Sequence, residues 1–288
     1  MIVIHVDDGL TAVNDHQKFI SELGKYFKVQ NLNIETDSFL GGEIREDVSA
    51  GISWLTQRTS ILSTIHRYQM TDAKGANQPM EAKLPDHNEK PQSVEEEEKG
   101  NKIPFSNLVE APRYPTDFTR PDISFALGVL SRYLSLPSAK LWRRAKLILR
   151  YLKATINLGL KFSHEKNGIL LEGFCDAAFA SCPETRHSMT GWIITINGTA
   201  ISWFSKKQTT VALSTCESEY IALCEVAKEI KWFRLLLGEM GYFQDQPTNC
   251  WIDNQAAKAI AEKTSSLERS KHFDIRYHWV QEFIEQDQ

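Results

Sequence analysis

Asp176, Glu219 and Asp253 fall at places from which carboxylates can converge. Asp176 follows an apolar stretch at 169–175, Glu219 lies in the first turn of a long helix expected over 216–240, and Asp253 follows a short strand expected at 248–252. Ends of adjacent strands and the start of a helix can meet at one point. Hard divalent cations such as Mg²⁺ or Mn²⁺ require oxygen ligands, and two ions about 4 Å apart activate a water and stabilise the leaving oxygen in phosphodiester hydrolysis. Each acid alone reads more readily as a cap or a solvated turn residue. The chemistry lies in the joint pattern. Glu217 competes with Glu219, but two residues turn a helix by about 200°, so only one of the pair can face the cluster.

The elements that must position these acids follow from local pattern. Residues 169–175, 191–198 and 199–205 are expected strands, with Asn197-Gly198 as a tight hairpin turn between the last two. In the helix at 216–240, Leu223, Ala227, Ile230, Phe233 and Leu237 form one stripe and Gly241 stops it. Helices are expected at 254–262 and 273–284. Upstream, the β-branched run at 2–6 predicts a strand buried on both faces. A helix over 14–27, hairpin strands at 39–44 and 51–57 and a helix at 59–70 follow. Residues 71–104 lack apolar periodicity and are expected to form a flexible acidic linker.

Order resumes with helices over 105–163. Pro121 suits a first helical position, and Ser138 suits an N-cap. Beyond Ser138 the apolar side Leu141, Ala145, Ile148, Leu149 and Leu152 leaves Arg143, Arg144, Lys146, Arg150 and Lys153 mostly on the surface, as a solvated face or a phosphate contact.

The 288 residues are 42% hydrophobic and 24% charged, enough for two modest domains. A net charge of −4 excludes a globally basic nucleic-acid binder, yet the charge is uneven. Residues 132–163 carry eight Lys or Arg and no acid, whereas 81–98 carry seven acids against two Lys. Only the first segment can meet phosphates. The five cysteines have no CxxC spacing, which implies neither zinc nor a disulfide frame. No apolar run is long enough to span a bilayer or serve as a signal peptide, so an intracellular protein, cytoplasmic or nuclear, is expected.

The segments GFCDAAFA, TRHSMTGW, AISWFSKKQTTVALSTCESEYIAL, WIDNQAA and RSKHFDIRYHWVQE resemble, in order and spacing, the ribonuclease H region of copia-type LTR retrotransposon Pol polyproteins. HVDDGL resembles the paired-aspartate loop of their reverse transcriptase palm, FLGGEI the following strand, and residues 119–155 the helices leading to the ribonuclease H domain. The resemblance implies an α/β chain with four parts: a partial palm at 1–70, the linker at 71–104, a helical thumb or connection region at 105–163, and a ribonuclease H-like domain at 164–288. That last domain would lack its final strand and helix.

By position, Asp176, Glu219 and Asp253 match three metal-binding acids, with Mg²⁺ or Mn²⁺ as cofactor. Glu219 is favoured over Glu217 because SEYIAL matches the family's helix start. His272 and Asp274 match motif positions that could support substrate or serve structure. The implied activity is cleavage of the RNA strand of an RNA–DNA hybrid, with Arg143, Arg144, Lys146, Arg150 and Lys153 steering the duplex. Other parts of a Pol polyprotein are possible partners, and no membrane is involved.

Asp7 and Asp8 match the palm loop, but His5 replaces its usual Tyr and the Asp of an earlier palm strand is missing, so polymerase activity is expected to be lost. Glu110 and Pro112 depart from the family pattern, and Pro112 should break a helix there. The competing expectation is a non-catalytic nucleic-acid-binding remnant or inactive relic of a transposable element.

Overall fold

The computed structural model describes residues 2–6, 8–11, 13, 15–30, 38–163, 168–262 and 274–285. The described residues form a mixed α/β structure with three small sheets and two apolar cores.

Strand β1 (Ile2–His5) pairs antiparallel with β2 (Asp8–Thr11), and no third strand joins them among the described residues. The run expected to be buried on both faces is therefore open to solvent, with Ile4 72% exposed. An apolar strand is buried only where another element covers it, and none does among the described residues. Asp7 lies outside the described residues; Asp8 opens β2 opposite His5. A short helix α1 (His16–Leu23) follows, capped by the Asp15 carboxylate.

A hairpin of β3 (Glu43–Asp47) and β4 (Ile52–Thr56) forms, with its first strand at 43–47 rather than the expected 39–44, and β4 also pairs with β5 (Leu160–Ser163), which periodicity missed. A Cβ at residue 159 would collide with the Leu55 carbonyl oxygen, so Gly159 permits this close approach.

The helices of this part are α2 (Arg58–Arg67), α3 (Val94–Asn101), α4 (Phe105–Glu110), α5 (Arg113–Phe118), α6 (Ser124–Leu130) and α7 (Ala139–Ala154), and α2, α4, α6 and α7 build the helical core. Pro112 separates α4 from α5, as its missing N–H requires. Ile61, Phe105, Leu127, Leu141 and Ile148 are among its fully buried side chains. Residues 71–104, expected to be a flexible linker, pack on this core. Tyr133 donates to the Pro85 carbonyl, Ser138 to that of Glu89, and Glu89 pairs with Arg144. The segment has little apolar periodicity because side-chain hydrogen bonds and ion pairs, rather than a continuous stripe, hold it.

The remaining unit holds a four-stranded sheet in the order β8 (Thr199–Lys207), β7 (Met189–Ile196), β6 (Leu171–Ala178) and β9 (Asn249–Trp251). β6, β7 and β8 form an antiparallel meander, and β9 joins β6 in parallel. Helix α8 (Thr215–Glu239) packs on the sheet through Tyr220, Val226, Ala227 and Ile230, with α9 (Gln255–Ala261) and α10 (Asp274–Glu285) beside it. Asn197 and Gly198 both adopt positive φ, 50° and 76°, as the tight turn between β7 and β8 demands. No helix among the described residues is long and apolar enough to cross a membrane.

Candidate metal centre

Three local devices bring the acids together. Asp176 sits inside β6, two residues before its end, rather than after it as expected. Ser214 caps α8 by accepting from the Glu217 amide at 3.1 Å, and the Glu217 carboxylate accepts from the Leu213 amide at 2.5 Å. This reciprocal cap commits Glu217 to the helix end and leaves Glu219, about 200° around, to face the sheet. Asp253 follows β9, immediately before Asn254, whose side chain caps α9 by accepting from the Ala257 amide.

One carboxylate oxygen from each of Asp176, Glu219 and Asp253 lies within 4.8 Å of the others. Asp176 and Asp253 are exposed, whereas Glu219 is only 5% exposed. Its Oε2 is buried and has no hydrogen-bond partner among the described residues. An orphaned buried carboxylate oxygen facing two further carboxylates is costly without a cation. The donor set is all oxygen and anionic, so it fits a hard divalent ion such as Mg²⁺ or Mn²⁺.

Burial, followed by the charges of Asp176 and Asp253, pushes the Glu219 carboxyl up to about 7, although the Ala177 amide opposes the rise by hydrogen bonding. Its native pKa thus stands above that of the unfolded chain. Below about pH 4 both states hold the proton and nothing is lost. As pH rises towards 7 the unfolded state releases its proton first, so stability falls, by about 3 kcal/mol in full above pH 7. Glu219→Gln should therefore be more stable than the parent at pH 8 in metal-free buffer and indistinguishable at pH 4. Urea titrations at the two pH values check this; a Gln variant less stable at pH 8 would contradict the assignment.

The basic residues of α7 do not act as one face. Arg144 is buried: its Nε and Nη2 donate to Glu89 at 2.6 and 2.5 Å, and its Nη1 donates to the Lys83 carbonyl at 2.9 Å. That corrects its expected place on the surface. Lys153 donates to the carbonyls of Thr71 and Ala73, and Arg150 Nε to that of Lys74. Arg143 is exposed, and Lys146 lies 5.7 Å from the Trp142 ring centroid. His272 lies outside the described residues, and of Asp274 only its place at the start of α10 is described.

Gln208 is a positioning residue that periodicity passed over. Its buried amide donates to Thr190 Oγ1 on β7 at 3.0 Å and to the Ser218 carbonyl on α8 at 2.9 Å, which ties the first turn of α8 to the sheet that carries Asp176. The polar run KKQTT at the end of β8 was the available signal.

The whole chain aligns at 36% identity with the Retrovirus-related Pol polyprotein from transposon TNT 1-94 of Nicotiana tabacum, and 99% of it at 31% with that from transposon RE1 of Arabidopsis thaliana. An uncharacterized mitochondrial protein of Arabidopsis thaliana is 31% identical over 80% of this chain and 93% of its own length. The chain belongs to the copia-type retrotransposon Pol polyproteins. It spans 21% of the tobacco polyprotein and 19% of the RE1 polyprotein. No protein-family model matches. In this Pol segment the three clustered acids lie in the part whose motifs resemble the ribonuclease H region, and Asp8, in the stretch that resembles the paired-aspartate loop, opens β2.

Proposed function

We propose that this Pol segment is a metal-dependent nuclease of ribonuclease H type, hydrolysing the RNA strand of an RNA–DNA hybrid at the cluster of Asp176, Glu219 and Asp253. The observation that carries the reading is the orphaned Oε2 of Glu219, buried within a group of three carboxylates. Bound Mg²⁺ or Mn²⁺ would supply the Lewis acid and the activated water of phosphodiester hydrolysis. The chain's own residues would hold it: Glu219 from the buried side, Asp176 and Asp253 from the solvent side where a phosphate can approach.

Arg143 and Lys146, with the guanidinium tip of Arg150, are the α7 cations assigned to backbone phosphates; Lys153 and Arg144 are assigned to holding residues 71–89. A ribonuclease H-like domain would then comprise the β6–α10 unit, with the helical core as connection region. Asp7 and Asp8 take no part in it, and polymerase activity is not proposed.

Isothermal titration with Mn²⁺ tests the centre, and cleavage of a labelled hybrid tests the chemistry. Manganese should bind with a release of protons at pH 6.5, because the ligand form of Glu219 is deprotonated. Absence of metal binding at millimolar Mn²⁺ would refute the reading. Metal binding without cleavage would leave a non-catalytic remnant.

A further inference from the structure

Between the helical core and the loop that joins β6 to β7, a recess of about 120 Å³ is lined by Lys90, Arg132, Tyr133, Cys182, Thr185 and Lys207, together with Glu184. Three cations meet one acid there. Lys90 is neutralised, with its ammonium 2.7 Å from the Glu184 carboxylate. Arg132 donates to the Met189 sulfur at 2.8 Å, a weak acceptor. Neither Arg132 nor Lys207 has an acidic partner within salt-bridge distance among the described residues, and both are half-buried. Two positive charges are thus left uncompensated in a partly dry pocket, where their field is strong.

The loop adds oriented dipoles to those charges. The Arg186 amide donates to the Cys182 carbonyl at 2.9 Å and the Cys182 amide to the His187 carbonyl at 3.0 Å, with Arg186 in the left-handed region at φ 55°. This tight turn directs the Thr185 hydroxyl and the amides of Thr185 and Glu184 towards the Cys182 sulfur. Burial alone would raise the Cys182 thiol, yet those donors and the Lys207 charge hold it below the usual thiol range. Those donors, with a smaller part from Lys207, favour negative charge on the sulfur at this end of the recess. Arg and Lys side chains converging in such a recess are how proteins grip phosphate oxygens.

We propose that this recess binds an oxoanion, a phosphate group carried by a nucleic-acid strand or free in solution, held by Arg132 and Lys207. The site contains none of the three clustered acids and stands apart from the nuclease reading. Inorganic phosphate is titrated into the full chain and followed by ³¹P line width, and an end-labelled RNA–DNA hybrid is titrated in parallel by fluorescence anisotropy.

Arg132→Met and Lys207→Met should each weaken at least one of the two ligands by about tenfold, the worth of one charge-assisted hydrogen bond. Lys228→Met, whose side chain pairs with Glu225 on α8, should change neither. Weakening of phosphate alone identifies a free anion; weakening of the hybrid identifies a strand phosphate. Asp176→Asn should leave the phosphate titration unchanged even if the nuclease reading fails. Thermal unfolding is measured first, and if Arg132→Met does not fold, Lys207→Met carries the test. Unchanged affinity for both ligands in a folded Lys207→Met variant overturns the proposal.

Discussion

Asp176→Asn should lower Mg²⁺-dependent cleavage of an RNA–DNA hybrid by about a hundredfold or more, because it removes one of three clustered metal ligands. The expected loss exceeds that of any change outside the cluster. Hybrid affinity should hold within about twofold, since the phosphate contacts assigned to Arg143 and Lys146 are untouched. The fold should hold as well. Asn removes one of the two negative charges that raise the Glu219 carboxyl, so metal-free stability at pH 8 should be equal to or greater than that of the parent. Initial cleavage rates, anisotropy and urea unfolding of the same preparation separate these effects. A variant that unfolds, or that cuts at the parent's rate, removes Asp176 from the site.

Arg144→Met should destabilise the helical core by about 3–5 kcal/mol, the cost of leaving a buried partner charge uncompensated. Arg144 is 6% exposed and its carboxylate partner Glu89 14%, so the pair is screened little by solvent. Glu89 is joined to Arg144 in a two-pronged contact that also fixes the Lys83 carbonyl, and residues 81–89 have no apolar stripe to hold them otherwise. Glu89→Gln should cost less than Arg144→Met, because the amide oxygen can still accept from the guanidinium. The Arg144→Met, Glu89→Met double variant should recover part of the loss. Denaturation midpoints at 0.05 and 0.5 M salt are the measurement; a loss under about 1 kcal/mol that shrinks with salt would mark an ordinary surface pair. Were Arg144 a phosphate contact, its replacement would weaken hybrid binding and leave stability alone.

The sequence by itself determined the features that depend on near neighbours. Ser138, Ser214 and Asn254 cap the helices that begin after them, because a short oxygen-bearing side chain needs only the next turn's amide. The Asn197-Gly198 turn forces β7 back onto β8, and the alternation of 171–178 specifies which residues face α8. Helical angle said only that one of Glu217 and Glu219 can face the cluster, the resemblance of SEYIAL to the family's helix start chose Glu219, and the three acids were identifiable before any distance was known.

Only the tertiary structure decided what depends on distant parts of the chain. The basic stripe of α7 reads the same whether Arg144 faces water or an acid, and it is the packing of residues 81–89 that turns it inward. Strand β5 is four residues of weak pattern whose place comes from β4, with Leu55 opposite Leu160. The apolar run of β1 stays exposed because burial needs a second surface that periodicity cannot supply. The raised carboxyl of Glu219 belongs to this class too. Its cause is burial between α8 and β6 beside two other acids, an environment set by three elements that meet only in the folded chain.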